Sequence, residues 1–228
     1  MKIRLFTIPN MLTLGNLLCG SAAVVALLSE GDYRLALWLM IASAVCVFFD
    51  GFAARLLKSS SPLGVQLDSL ADMVSFGLVP SVALFCLYDT LPYAVEMPDN
   101  VSEILRYVMF IIVAFSALRL AKFNIDESQQ TEFCGLPTPA NGLFCLSLAM
   151  LVAEGDIALS REVLLLVAVV MAWLLISPIR MFALKFKGFF LLLCVVIIAL
   201  FTRYAVPAII LLYIVISAMR WVVNNCRK

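Results

Sequence analysis

Apolar runs long enough to cross a lipid bilayer recur from one end of this chain to the other. That recurrence limits the fold more than any other feature. A helix needs roughly 20 apolar residues to span the hydrocarbon. Candidate spans lie at 10–29, 34–57, 66–88, 104–124, 138–153, 163–179, 188–202 and 204–222. Within lipid each backbone N–H and C=O must be satisfied inside the element, so helices are expected, and no stretch alternates as a strand would. The 228 residues are 64% hydrophobic, against nearer half for soluble domains. The expectation is an all-α polytopic membrane bundle of about eight transmembrane helices. Without an internal repeat or a linker, residues 1–228 read as one integral membrane domain.

Charge placement orients the bundle. With the N-terminus in the cytosol, twelve of the 16 Lys and Arg residues fall at cytosolic ends, and Arg34, Arg106, Arg161 and Arg203 fall opposite. Such a bias is the positive-inside pattern. The opposite loops are acidic, with Glu30, Asp32, Asp89, Glu154, Asp156 and Glu162 among them. Lys2 and Arg4 before an apolar run imitate a signal peptide, but similar runs follow throughout, which favours a retained helix. The expected location is a bacterial-type inner (plasma) membrane. A net charge of +1 gives no argument for nucleic acid binding. Histidine is absent, so a general base must be a carboxylate, Lys, Tyr or Cys. The seven cysteines are scattered, with no Cys-x-x-Cys, and read as small packing residues.

One stretch breaks the apolar pattern: FFDGFAARLLKSSSPLGVQLDSLADMVSFG, Phe48 to Gly77. Asp50 falls at the cytosolic end of the second span, and Asp68 and Asp72 at the cytosolic start of the third. Asp68 and Asp72 are four residues apart and share a helix face, with Gly64 one turn earlier. Two antiparallel helices joined by the turn LLKSSSPLG thus gather the carboxylates at one membrane depth. Gathered anions take up protons or are neutralised by cations. Hard divalent ions prefer oxygen ligands and keep room for phosphate oxygens, so the cluster suggests a metal site for a phosphorylated substrate. Gly51, Ala53, Ala54 and Gly64 clear space on the same faces, although alone they read as helix packing. Aspartates inside a span are functional by default.

These residues resemble the CDP-alcohol phosphotransferase pattern D-x2-D-G-x2-A-R-x8-G-x3-D-x3-D. Asp50, Gly51, Ala54, Arg55, Gly64, Asp68 and Asp72 match in type and spacing. Val47 stands where the pattern has its first aspartate. SALRLAKFN (Ser116–Asn124), FCGLPTPAN (Phe133–Asn141) and IPNMLTLGNLLCG (Ile8–Gly20) resemble segments of membrane-embedded phosphatidylserine synthases.

The resemblance implies a six-helix family core plus two helices, and a homodimer. It implies transfer of a phosphatidyl group from CDP-diacylglycerol to L-serine, giving phosphatidylserine and CMP. Two divalent ions, Mg²⁺ or Mn²⁺, would be held by Asp50, Asp68 and Asp72, with Asp72 also taking the serine proton. Gly51, Ala54, Arg55 and Gly64 would line the CDP-lipid site. Thr13 and Asn16 are candidates to bond its cytidine or ribose, or else a neighbouring helix. Arg119, Lys122 and Asn124 are candidates for the serine site, although basic residues also end spans for topological reasons. Pro137 and Pro139 are expected to break the chain before the fifth span. Three other readings stay open: another acceptor such as glycerol phosphate or inositol phosphate, an ion or solute transporter using Asp50, Asp68 and Asp72 as a cation site, and a non-catalytic relative that binds CDP-lipid, which Val47 keeps open.

Overall fold

A computed structural model describes residues 5–57, 61–95, 98–125, 133–181 and 204–226. Helix α1 (Ile8–Val25) runs on through a π-helical turn at Ala26–Glu30 into α2 (Tyr33–Leu56), which returns antiparallel along it. Next come α3 (Pro62–Asp72), a π-helical segment (Met73–Leu78) and α4 (Val79–Tyr88), stacked as one rod. A second rod holds α5 (Asp99–Leu105), a 3₁₀ turn (Arg106–Phe110) and α6 (Ile111–Ile125). Helices α7 (Thr138–Ala153), α8 (Arg161–Ile176) and α9 (Ala205–Cys226) complete the bundle.

Five of these rods are long and apolar enough to cross a membrane: Ile8–Glu30, Tyr33–Leu56, Pro62–Tyr88, Asn100–Ile125 and Ala205–Val222. The expected spans at 138–153 and 163–179 correspond to α7 and α8, of 16 residues each. Sixteen residues reach only about 24 Å, short of a bilayer core of about 30 Å. Gly155, at φ +80°, closes the α7 end as a left-handed cap. Pro178 follows the end of α8, which ends earlier than the sequence suggests because the residue before a proline is driven out of helical geometry. The expected span at 188–202 lies outside the described residues.

Helix starts differ from the sequence reading where caps decide them. Ser61 accepts a 3.1 Å bond from Gly64 N and has Pro62 behind it, so α3 begins four residues before the expected 66. Pro62–Gly64, at the end of the expected turn LLKSSSPLG, are thus helix. Pro139 likewise lies in the first turn of α7 and opens that helix rather than breaking it. One feature outside the all-α expectation is a two-residue antiparallel pairing of β1 (Phe133–Cys134) with β2 (Arg180–Met181). It ties the segment before α7 to the end of α8. Gly135 adopts φ +80° there, and a Cβ on it would fall 2.2 Å from the Leu175 carbonyl oxygen, so only glycine fits.

The core holds Ala23, Leu27, Met40, Phe76, Leu84 and Leu146 among its residues. Small residues let the rods approach closely: a Cβ on Gly20 would meet Ser75 Oγ at 2.3 Å, and one on Gly142 would meet the Phe76 backbone at 2.9 Å. Leu18, Leu28, Ile104, Leu118 and Leu166 are each about 60–70% exposed, so the outer surface is oily, as lipid contact requires.

The charged end away from the aspartates is clasped. Arg34 pairs with Glu154, and Arg106 with Asp89 at 2.9 Å. Arg161 donates to Leu91 O, Tyr93 Oη, Ser102 Oγ and Asp89 O, with its guanidinium 3.9 Å from the Tyr93 ring centre. Glu162 accepts from Ala94 N and Val95 N. Three of the four far-side arginines thus bind this end of the bundle together.

Candidate active site

Three rods bring the aspartates to one end of the bundle, and α1 organises them. Asp50, near the end of α2, is buried, and Thr13 Oγ1 lies 2.8 Å from its Oδ2. That hydroxyl also lies 3.1 Å from Pro9 O. It has one proton, and the shorter contact to a charged acceptor takes it. One turn on, Asn16 Nδ2 donates 3.0 Å to Oδ1 of Asp72, which is also buried. Asn16 is itself pinned, because its carbonyl accepts from Ser43 Oγ of α2 at 3.2 Å and from Ser75 Oγ at 3.0 Å. The two candidate lipid-binding residues on α1 therefore hold the aspartates.

Asp68 lies between these pairs and is half-buried, with Oδ1 inaccessible and without a hydrogen-bond partner among the described residues. The three carboxylates are within electrostatic reach of one another, and Arg119 is the cation facing Asp72. Directly after Asp72 the helix widens into its π segment, a distortion that recurs at functional sites. Among the described residues, no three Asp, Glu or Cys side chains close around a single point as a finished metal cage. The trio shares a depth but not a common vertex. Val47, one turn before Asp50, is half-buried against the apolar core and brings no oxygen.

The remaining candidates sort by environment. Around Gly51 nothing lies within 4 Å of an added Cβ, so helix packing does not account for that glycine. Gly64 is a contact point, since its Cβ would stand 3.2 Å from Asn10 Oδ1. Ala54 is half-buried, and Arg55 is exposed and donates 2.9 Å to Gly51 O on its own helix. Arg119 Nη1 donates 2.8 Å to Thr138 Oγ1, and its Nε is buried without a partner among the described residues. Lys122 is exposed. Asn124 Nδ2 donates 2.9 Å to Ser69 Oγ, tying α6 to α3.

Sequence reasoning passed over Thr138, Ser69, Ser43, Ser75 and Asn141. Each is a polar residue within an apolar or turn segment, which was the available signal; the partner was not. A cavity of about 470 Å³ lined by Glu30, Asp32, Tyr33, Arg34 and Glu154 lies at the clasped end, away from the aspartates.

The donor set suits a divalent cation. It is all oxygen, it includes a buried carboxylate oxygen with no partner, and an ion bound through one or two carboxylates completes its shell with phosphate and water.

A sequence model described as CDP-alcohol phosphatidyltransferase matches residues 6–176. A Bacillus subtilis protein named CDP-diacylglycerol–serine O-phosphatidyltransferase is 39% identical over 141 residues, covering 61% of this chain and 72% of that protein. A Helicobacter pylori strain J99 protein of the same name is 29% identical over 231 positions, covering 96% and 92%. One from Methanocaldococcus jannaschii is 30% identical over 150 residues, covering 65% and 63%. With the matched region spanning Asp50, Gly64, Asp68 and Asp72, this chain belongs to the CDP-alcohol phosphatidyltransferase family.

Proposed function

We propose that this chain transfers the phosphatidyl group of CDP-diacylglycerol to the hydroxyl of L-serine, forming phosphatidylserine and releasing CMP. The observation that carries the reading is the group Asp50, Asp68 and Asp72 at one end of an oily bundle, two held by α1 and the third with a bare buried oxygen. The names of the relatives favour serine as the acceptor. That end faces the cytosol of a bacterial inner membrane, so lipid tails enter sideways while serine and nucleotide arrive from water. Assembly as a homodimer is part of the proposal.

In this reading Asp50, Asp68 and Asp72 would hold divalent cation, two ions of Mg²⁺ or Mn²⁺. When bound, the metal neutralises the diphosphate and the charge left on CMP. Asp72 accepts the serine hydroxyl proton as the serine oxygen bonds to the phosphorus that carries diacylglycerol. The bond from that phosphorus to the CMP oxygen breaks, and CMP leaves with the electron pair. Asn16 aims Asp72, and Thr13 aims Asp50. Gly51 leaves open space for the nucleotide, with Ala54, Arg55 and Gly64 along the same wall. Arg119 faces the serine carboxylate, and Lys122 and Asn124 lie at the mouth.

Radiolabelled serine incorporation by the purified chain, with CDP-diacylglycerol and Mg²⁺ or Mn²⁺, tests the reading. Equal yields of phosphatidylserine and CMP support it. Transfer to glycerol phosphate or inositol phosphate in place of serine contradicts it. Val47 favours one second reading, a relative that binds CDP-diacylglycerol without turning it over. Saturable binding with no CMP release in the parent identifies that case, and CMP release in Val47→Asp traces it to that position.

A further inference from the structure

Ser75 lies in the π-helical segment three residues after Asp72 and is fully buried. Its hydroxyl donates 3.0 Å to the main-chain carbonyl of Asn16, and the side-chain amide of Asn16 donates 3.0 Å to Asp72 Oδ1. The two bonds close a ring through two rods, with Asp72 to Ser75 along one and Asn16 on the other. Ser43, fully buried on α2, donates 3.2 Å to the same Asn16 oxygen. One carbonyl thus joins three rods. Helix α1 also presses directly on Ser75: a Cβ on Gly20, four residues after Asn16, would fall 2.3 Å from Ser75 Oγ and 2.9 Å from its Cα.

The turn that carries Ser75 differs from the helix on either side. Val79 N bonds to Val74 O, five residues back, where an α-helix reaches four. The extra residue rotates the helix before it by about 100° relative to α4, and Asp68 and Asp72 are on the rotated part. Neighbours hold the turn at three successive residues. Gly20 of α1 abuts Ser75, a Cβ on Gly142 of α7 would lie 2.9 Å from the Phe76 backbone, and one on Gly77 would lie 3.1 Å from Ser116 Cβ of α6. Of Ser75, Phe76 and Gly77, Ser75 alone has a side chain that can hydrogen bond.

We propose that Ser75 is a positioning residue for Asp72. Its hydroxyl locks the π turn to the Asn16 carbonyl and so fixes the rotation at which Asp72 meets the Asn16 amide, with Ser43 bracing the same oxygen from α2. The assignment rests on the serine-transfer reading, in which Asp72 takes the serine proton, and adds to it the residue that sets the aim of that base. A small hydroxyl suits the place, because at this closeness to Gly20 a larger donor would force the rods apart.

The test measures serine transfer by the purified chain carrying Ser75→Ala or Ser43→Ala, each alone and combined with Asn16→Leu. Ser75→Ala should lower kcat roughly tenfold, short of the hundredfold that a displacement of about 1 Å can cost, while the KM values for serine and CDP-diacylglycerol hold. In the Asn16→Leu background Ser75→Ala should cost little more, because the bond it aims is already gone; groups acting independently would add their losses. Ser43→Ala should behave alike, and decides by the same criterion if Ser75→Ala does not fold. Without metal or substrate, amide exchange over residues 73–78 should quicken in Ser75→Ala while α8 is unaffected. An unchanged kcat, a raised KM with kcat held, losses that add to those of Asn16→Leu, or unaltered exchange overturns the assignment. A parent chain that makes no phosphatidylserine overturns the serine reading instead, and the exchange result then decides whether Ser75 grips the turn.

Discussion

Val47 stands one turn before Asp50 on α2, and its methyl pair packs against the core and brings no oxygen to the aspartates. Val47→Asp is expected to raise serine transfer roughly tenfold or more, the scale on which single supports of a metal site act. A steady-state assay of parent and variant decides it, and unchanged turnover beside a fully active parent contradicts the role given to that position. Asn16 and Thr13 make a second prediction. Asn16→Leu removes the donor to Asp72 and costs about 1.5–3 kcal/mol, the usual worth of a bond to a charged group. The loss should appear in kcat, with the KM for CDP-diacylglycerol little changed. If KM rises instead while kcat holds, Asn16 binds the nucleotide rather than aiming the base.

Two glycines separate packing from ligand space at the level of elements. Gly142→Ala drives a Cβ to 2.9 Å from the Phe76 backbone, so α7 must move off the π segment. Overpacking of that kind costs about 1–3 kcal/mol, visible as a lowered melting temperature. Gly51→Ala meets nothing within 4 Å, so stability should hold while the KM for CDP-diacylglycerol rises. The clasp at the other end predicts a pH effect. Glu162 is held down to about 2, first by the Ser160 hydroxyl and also by backbone N–H groups of Glu162, Ala94 and Val95. A depressed carboxylate contributes stability above its ordinary value near 4.5 and loses it as pH falls toward 2. Hydrogen exchange at Ala94 and Val95 should therefore quicken across that window, and Glu162→Gln should flatten the change.

Across the whole molecule, the sequence made the apolar rods, their antiparallel order and the shared depth of the aspartates legible, because each depends on local periodicity or fixed spacing. Pairings between rods were not legible. That Thr13 meets Asp50 and Asn16 meets Asp72 depends on how α1 crosses α2 and α3, which no local pattern encodes. The π segment after Asp72 was hidden too, since its residues are as apolar as an α-helix would be. Ser75 lay in the quoted aspartate stretch, but its bond to Asn16 is a property of packing. The charge bias predicts a cytosolic N-terminus, and the clasped arginines explain why Arg34, Arg106 and Arg161 are tolerated on the far side. Labelling of single cysteines in intact cells should find positions near Lys122 protected from impermeant reagent and positions near Tyr93 open to it. The most direct measurement of the central claim follows lipid and nucleotide products together, with the purified chain, CDP-diacylglycerol, serine and Mn²⁺. Phosphatidylserine and CMP should form in equal amounts, stop on chelation, and vanish in Asp72→Asn while CDP-diacylglycerol still binds. Full turnover in Asp72→Asn, or turnover indifferent to chelation, would contradict the account.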